Sequence, residues 1–259
     1  MRGIAARTIP AILLGAGLLG AWELYVDLAG VEAQLLPAPH AIASALWQNR
    51  SLVGRNFAVT AEEVVLGLAL ALACGLTLAV AIHLLPPLRR AGYPLAVASQ
   101  AVPVPVVGVL LVFWWGFGIF PKLLVIALIC FFPVLVTTVD GLGAVDPEQP
   151  KLLRTLDASR WQAFRFAELP AALPAALSGA RIALAVGVIG AFIAETTTPS
   201  SGAYPGLGRE IITDINFQTP RAYAGTAVLV AFAIACFYAL GAAERALAPW
   251  SIRPRGETR

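Results

Sequence analysis

Long apolar runs separated by short polar breaks dominate the hydrophobic pattern of this 259-residue chain. The runs are about 20 residues long and do not alternate, which is typical of membrane-spanning helices and not of barrel strands. A helix also satisfies its own backbone polar groups, as a span in lipid must. The pattern therefore predicts an all-α membrane protein with about six spans, at residues 9–28, 57–82, 94–116, 119–140, 172–196 and 222–247.

The breaks between the runs indicate the orientation of the chain. Lys and Arg are more numerous in the breaks that share a side with the N-terminus, which places both termini in the cytoplasm. The longest polar connection, residues 141–170, is then cytoplasmic. A short amphipathic stretch within residues 35–50 is too short to cross and is predicted to lie along one interface.

Composition agrees with this pattern and narrows the chemistry. Apolar residues make up 59% of the chain and charged residues 13%, which would leave large exposed apolar patches on a soluble fold. The three cysteines lie inside apolar runs without metal-ligand spacing, so they indicate neither a disulfide framework nor a metal site. The first run also resembles a signal peptide, but its length and the lack of a small-residue cleavage site favour a retained span.

The connection 141–170 contains a candidate partner-binding helix. Asp157 or Ser159 is placed to cap a short helix that runs through Phe166 and ends before Pro170. Such a helix would be amphipathic. One interpretation is an interfacial helix on lipid headgroups; the other is a helix that docks its aromatic side chains into a cleft on a soluble partner.

Ionisable residues at membrane depth are the second set of candidates. Arg181 and Glu195 lie in the fifth predicted span, roughly 21 Å apart along a helix, so they cannot pair with each other. Each should face a pore or a partner side chain. For Arg181 the alternative is snorkelling to the interface, and for Glu195 it is a helix-packing hydrogen bond. Glu62 and Glu63 are expected to be interfacial.

Aromatic residues between the third and fourth spans have two interpretations. Trp114, Trp115, Phe131 and Phe132 are typical of an interfacial belt or of helix packing. Alternatively, a planar heterocyclic substrate would stack on them. The breaker-rich residues 199–208 are consistent with an outer gate, a contact for a binding protein or an ordinary loop.

Several collinear segments resemble the permeases of the nitrate/sulfonate/taurine group of ABC importers. They are LLPAP at 35–39, VFWWGFG at 112–118, ASRWQAF at 158–164, LPAALP at 169–174, SGARIA at 178–183 and IGAFIAE at 189–195. Residues 151–170 are similar to the EAA loop of such permeases. The Leu169-Pro170 end of the pattern matches, whereas Asp157 stands at the glycine position and Lys151-Leu152-Leu153 at the Glu-Ala-Ala position.

The resemblance implies a type I importer permease fold in the bacterial inner membrane. It implies a permease dimer, expected to be a homodimer, with ATP and Mg held on separate ATPase subunits and substrate delivered by an external binding protein. The chain itself would bind no cofactor or nucleic acid and would not be an enzyme. The implied ATPase-coupling residues are Asp157, Ala158, Ser159, Arg160, Trp161, Phe164, Leu169 and Pro170. The candidate translocation path comprises Glu195, Arg181, Trp114, Trp115, Phe131 and Phe132.

The substrate expectation rests on two short segments. ICFFP at 129–133 and DGL at 140–142 most resemble the branch that imports thiamine-pyrimidine precursors or riboflavin. Nitrate, alkyl sulfonate or taurine is the alternative within the same role. An intramembrane enzyme would need a nucleophile with a base at span depth, and a secondary carrier would need internal repeats. Neither feature is evident in the sequence.

Overall fold

The computed structural model of the chain describes residues 2–146, 148–198, 202 and 204–252. These residues contain no strand, which confirms the all-α prediction. The α-helices are α1 (Arg2–Ala29), α2 (Pro39–Gln48), α3 (Arg50–Leu84), α4 (Pro86–Ala98), α5 (Val104–Trp115), α6 (Ile119–Gly143), α7 (Glu148–Thr155), α8 (Arg160–Ala163), α9 (Leu169–Thr197), α10 (Leu207–Asp214) and α11 (Thr219–Leu247). The other helical segments are 3-10 turns at Ser99–Ala101 and Pro249–Ile252 and a π-helix at Phe164–Glu168.

Four helical segments in the described chain are long and apolar enough to cross a membrane: α3, α6, α11 and the continuous segment Arg160–Thr197 that contains α9. Their positions overlap the predicted spans 57–82, 119–140, 222–247 and 172–196. The first predicted span, 9–28, falls within α1, part of which lies outside the described side chains. Apolar run length thus predicts where these helices lie.

The run predicted as a span over residues 94–116 is bent in the structure. The helical stretches Gly92–Ala101 and Val104–Trp115 meet at a bend of 94°, and together they are long and apolar enough for a broken span or a re-entrant loop. Pro103 has no amide hydrogen with which to continue the helix, and the residue before a proline is kept in the extended region. Val102 accordingly has a ψ of 121°. The proline pattern of this run therefore overrides its apolar length.

The contacts of the chain divide it into two compact units. One comprises Met1–Val59 and Tyr204–Val230, and the other comprises Thr60–Ala203 and Ala231–Arg259. In the first unit α1 contacts α2. In the second, α6 packs along α9, and α5 contacts both.

Small residues allow α6 and α9 to approach closely in the second unit. A Cβ atom built on Gly179 of α9 would lie 1.8 Å from Thr137 Oγ1 and 3.0 Å from the carbonyl oxygen of Pro133, both on α6. Without a hydrophobic driving force between helices in lipid, such close backbone contact is what holds spans together. Gly179 is thus required by packing.

Candidate functional site

The connection between α6 and α9 begins with α7, which ends in a left-handed turn at Asp157. The φ angle of Asp157 is 58°. Its amide donates to the carbonyl oxygen of Arg154, and the amide of Ala158 donates to that of Leu153, both at 3.1 Å. This pair of bonds is the Schellman arrangement, whose left-handed position is usually glycine. Asp157 stands at the glycine position of the importer loop pattern and adopts the glycine-like conformation, which aspartate tolerates better than most residues.

Ser159 begins the next helical stretch, as one of the two predicted caps. Ser159 Oγ accepts the amide hydrogen of Gln162 at 3.2 Å, and Gln162 Oε1 accepts that of Ser159 at 2.7 Å. This reciprocal pair is a capping box. The prediction that the helix ends before Pro170 is wrong, because α8 continues through the π-helix into α9. Pro170 lies in the first turn of α9, where a missing amide costs little.

Two polar contacts join this stretch to the C-terminal end of α3. The guanidinium of Arg160 donates to the carbonyl oxygen of Leu84 at 2.8 Å. That carbonyl belongs to the last turn of α3, where a cation also complements the helix dipole. His83 Nε2 lies 2.7 Å from Glu168 Oε2, and both side chains are about four-fifths buried. The C-terminal end of α3 therefore contacts both ends of the segment, at Arg160 and at Glu168.

The two aromatic residues of the stretch have different environments. Phe164 is 2% exposed and packs with Leu142 and Ala172, with Val80 and Leu84 of α3 against them. Trp161 is 59% exposed and stacks on Phe164 at a centroid distance of 5.4 Å. Phe164 thus fastens the segment to the helices behind it, while Trp161 presents a rigidly supported ring to the outside.

The remaining predicted coupling residues flank this aromatic pair. Leu169 is 41% exposed, and Ala158 is half-buried. Pro170 lines a groove of about 500 Å³ whose walls include Leu152, Phe166 and Trp250. Ala158, Leu169 and Pro170 are thus at least partly exposed, whereas Phe164 is buried.

Arg181 has partners inside the chain. Its Nη1 atom donates to Glu244 Oε2 at 3.0 Å, and its guanidinium carbon lies 4.2 Å from the ring centroid of Phe237. Gly241 leaves room for the guanidinium, since a Cβ there would lie 3.3 Å from Nη2. Arg181 therefore meets its requirement for a partner through an ion pair and a cation–π contact with α11.

Glu195 also has partners inside the chain, and it is 1% exposed. Thr60 Oγ1 donates to Glu195 Oε1 at 2.6 Å. In the same unit, Lys122 Nζ donates to Glu63 Oε1 at 2.7 Å, with both side chains 2% exposed. Glu63, which was expected to be interfacial, is thus buried within the protein against Lys122. Sequence reasoning missed Lys122 because it lies at the boundary of an apolar run.

The aromatic candidates do not form one site. Trp114 is 64% exposed and Trp115 is 55% exposed. Phe131 packs against the buried cluster of Ala79, Ile82 and Leu135. Phe132 lines a separate cavity of about 280 Å³ together with Ser99, Gln100 and Val186. Phe132 thus lies against a cavity that polar side chains also line.

A polar network also lies in the first unit, at the start of α10. Asn56 Nδ2 donates to Glu210 Oε2 at 2.6 Å, and Asn56 Oδ1 accepts the amide hydrogen of Gly206 at 3.2 Å. Arg221 forms a bidentate ion pair with Asp214, and its Nε atom lies 3.8 Å from Glu210 Oε1. Burial raises the pKa of Glu210, although the hydrogen bond from Asn56 opposes the shift.

This network includes Gly206, which belongs to the breaker-rich stretch 199–208. Residues 199–201 and 203 lie outside the described residues, whereas 204–208 are described. Gly206 has a φ of 97° at the start of α10, a conformation that favours glycine. Tyr204 accepts a hydrogen bond from Arg55, which also lies over its ring. The described residues of this stretch are thus fastened to α3.

Among all the residues that the structure describes, no group of three or more His, Cys, Asp and Glu residues is suited to a metal ion.

Comparison with known proteins shows which family this chain resembles. Residues 67–250 match the family described as the binding-protein-dependent transport system inner membrane component. The formylaminopyrimidine transport permease protein ThiX of Halalkalibacterium halodurans is 34% identical over 88% of this chain and 90% of that protein. The riboflavin transport system permease protein RibX of Chloroflexus aurantiacus is 33% identical over 90% and 87%, respectively. The taurine transport system permease protein TauC of Escherichia coli is 29% identical over 91% and 87%.

A solved structure shares the fold. The crystal structure of an amino acid ABC transporter with histidines superposes with a TM-score of 0.60 at 16% identity, covering 79% of this chain and 96% of that one. At this identity the likeness concerns the fold alone. Together with the family match and the relatives above 30% identity, it agrees with the expected permease fold. The chain therefore belongs to the binding-protein-dependent transport system inner membrane components, as a multi-pass permease subunit of an ABC importer whose ATPase is a separate subunit.

Proposed function

We propose that the segment formed by residues 159–168, here called the coupling segment, receives the movement of the ATPase subunit and passes it to α3 and α9. The observation that carries this proposal is the arrangement of its two aromatic residues. Trp161 is exposed and stacked on Phe164, which is buried against α3 and α6 residues. A ring that is supported in this way transmits a displacement of its outer face, because packed side chains yield little.

The polar contacts of the coupling segment support the same role. Arg160 binds the last turn of α3, and His83 of α3 lies against Glu168. The segment also continues into α9 without a break. A push on Trp161 would therefore reach two spans at once, as a rigid-body change requires. The exposed groove beside Pro170 extends the surface available to the ATPase subunit.

The other expected partners have separate roles in transport. ATP and Mg are proposed to bind to the ATPase subunits, and a second copy of this chain is proposed to complete the permease. A substrate-binding protein would deliver the solute on the opposite side of the membrane. Arg181 and Glu195 each have a partner within the chain, so their proposed contribution to the path is to hold the spans in place.

For the translocated solute we favour a nitrogen heterocycle of the thiamine-precursor or riboflavin type over nitrate, sulfonate or taurine. The relatives named for formylaminopyrimidine and riboflavin transport are 34% and 33% identical, and the taurine relative is 29% identical. Phe132 lines a cavity with the polar side chains of Ser99 and Gln100, which suits a planar polar ring better than a small anion.

Reconstitution with the ATPase subunit and the binding protein in proteoliposomes tests the coupling segment. Trp161→Asp is expected to lose the ATPase subunit on copurification, whereas Phe217→Asp, at an aromatic residue 85% exposed after α10, should retain it. His83→Ala should keep ATPase binding and hydrolysis but transport less solute per ATP hydrolysed. The proposal fails if Trp161→Asp keeps full ATPase binding and transport, or if His83→Ala leaves that ratio unchanged.

The substrate class is tested separately in the same vesicles. Uptake of radiolabelled formylaminopyrimidine, riboflavin, taurine and an alkyl sulfonate would be compared with the cognate binding protein present. Uptake of a heterocycle alone is the expected result. Uptake of taurine or sulfonate alone would overturn the substrate proposal while leaving the permease role intact.

A further inference from the structure

A cavity of about 280 Å³, here called the apolar cavity, lies among α3, α6, α9 and α11 in the second unit. It is next to the coupling segment, because Val80, Leu142 and Ala172 line the cavity and also pack around the buried ring of Phe164. Neither the proposed coupling nor the proposed solute path uses this space.

The lining of the apolar cavity is unsuited to water or to a polar solute. Apart from Thr138, the described lining residues are Leu, Val and Ala. The hydroxyl group of Thr138 already donates to the carbonyl oxygen of Val134 at 2.6 Å. An engineered cavity of about 150 Å³ with a similar lining stays dry and binds small apolar molecules. An apolar molecule is therefore the occupant that this lining fits.

The apolar cavity is also long and narrow. Its lining residues on α9 extend from Leu169 to Ala180, which is roughly 16 Å along a helix, and those on α3 extend from Leu72 to Val80, roughly 12 Å. A helix with its side chains is about 10 Å wide, so a piece of this length needs far more room than the cavity has. The space thus excludes a helix of a second permease copy but admits a single hydrocarbon chain.

One end of the apolar cavity lies close to an exposed cation. Leu76 and Leu169 border the cavity and are 36% and 41% exposed, which leaves an entrance on the outer face of α3 and α9. Arg165 is exposed four residues before Leu169, about one helical turn closer to the membrane surface. A phosphate group at this level would meet the guanidinium of Arg165, which binds phosphate through charge-assisted hydrogen bonds.

We propose that the apolar cavity binds one acyl chain of a membrane phospholipid, whose phosphate group lies beside Arg165. The bound chain contacts Leu142 and Ala172 on the side opposite to Phe164. These residues then have packing partners on both sides, whereas the wall of an empty cavity lacks them on one. The lipid therefore stiffens the support of Phe164 and Trp161, a step that rests on the coupling role proposed above; the binding of the lipid does not.

Photolabelling of the permease–ATPase complex in nanodiscs tests the binding site. The nanodiscs contain phosphatidylethanolamine, phosphatidylglycerol and a trace of phosphatidylglycerol with a diazirine in the middle of one acyl chain. Ala172 and Ala180 are 2% and 4% exposed, so bulk lipid does not reach them, and label on them reports a chain inside the cavity. We expect both residues to be labelled in the wild type.

Two substitutions should prevent this labelling. Ala176→Phe fills the apolar cavity and should lower the label on Ala172 and Ala180 about tenfold, because a close-packed interior leaves no room for both the ring and the chain. Should this variant not fold, Leu76→Trp at the entrance should have the same effect. Ala239→Phe, at the exposed neighbour of Leu240, is the matched control and should keep the label.

The outcomes separate lipid binding from coupling. The site is overturned if Ala172 and Ala180 are unlabelled in the wild type, as they would be with a side chain of a second copy in the cavity. Equal labelling in Ala176→Phe, Leu76→Trp and Ala239→Phe also overturns it. Leu76→Trp should in addition lower the amount of solute transported per ATP hydrolysed. An unchanged ratio despite lost label overturns the support of the coupling segment and leaves the lipid site standing.

Discussion

The left-handed turn at Asp157 allows a quantitative test of the loop that precedes the coupling segment. A left-handed conformation costs an ordinary L residue about 1–2 kcal/mol, and aspartate lies at the low end of this range. The φ of 58° at Asp157 is maintained by the amide bonds of Asp157 and Ala158 to the end of α7. A β-branched residue at 157 should therefore weaken this turn.

Asp157→Val is expected to destabilise the turn by about 1.4 kcal/mol, because strained backbone of this kind costs roughly 1–3 kcal/mol and a β-branched residue lies much nearer the upper end of that range than aspartate. This energy corresponds to about a tenfold larger opening constant. Asp157→Gly should change it by less than about 0.5 kcal/mol, because the relief of strain is offset by the greater freedom of glycine in the open state. The turn should therefore be about equally stable with Gly or Asp at position 157, and clearly less stable with Val.

Hydrogen–deuterium exchange of the permease–ATPase complex measures this directly. Protection of the Ala158 amide should fall about tenfold in Asp157→Val and remain within about threefold of wild type in Asp157→Gly. Leu156→Val places the same side chain at an exposed neighbour whose φ is not positive, and it serves as the control. Equal protection in the Val and Gly variants, or an equal loss in Leu156→Val, would refute the reasoning.

Two further predictions concern stability in detergent or nanodiscs. Gly179→Ala should lower the melting temperature, because its Cβ would lie 1.8 Å from Thr137 Oγ1. The control Gly54→Ala should not lower it, because no atom lies within 4 Å of that Cβ. Equal effects of the two substitutions would contradict the packing argument. Burial raises the pKa of Glu210, so its contribution to stability is greatest below the ordinary glutamate pKa and is lost as pH rises through the folded-state pKa. Glu210→Gln should flatten the pH dependence of the melting temperature across this window, whereas the control Glu62→Gln should leave it unchanged. An unaltered slope in Glu210→Gln would contradict the raised pKa of Glu210.

Local sequence signals predicted the helices and the start of the coupling segment. Apolar run length placed α3, α6, α9 and α11, because a helix in lipid needs only its own residues to satisfy its backbone. Ser159 was one of two predicted caps, and the structure shows it in a capping box with Gln162, three residues away. The aromatic pattern of the segment was also evident. Its continuation into α9 was not, since a proline reads as a helix end unless it lies in the first turn.

Tertiary structure decided which polar groups meet. Glu63 pairs with a lysine 59 positions away, Thr60 with a glutamate 135 positions away, and His83 with a glutamate 85 positions away. In the sequence each of these residues looks like an ordinary boundary or span residue, and no periodicity links them. Burying an ionisable group in a membrane is costly, so each must find a partner, but the sequence does not tell which one.

The sequence by itself therefore determined the helical membrane architecture and the importer family, because apolar length, charge placement and collinear motifs are local properties. Only the folded chain decided that Phe164 is a buried support for Trp161, and that Glu195 is buried beside Thr60. These roles depend on which helices pack together, and that depends on close fits such as that of Gly179 against α6.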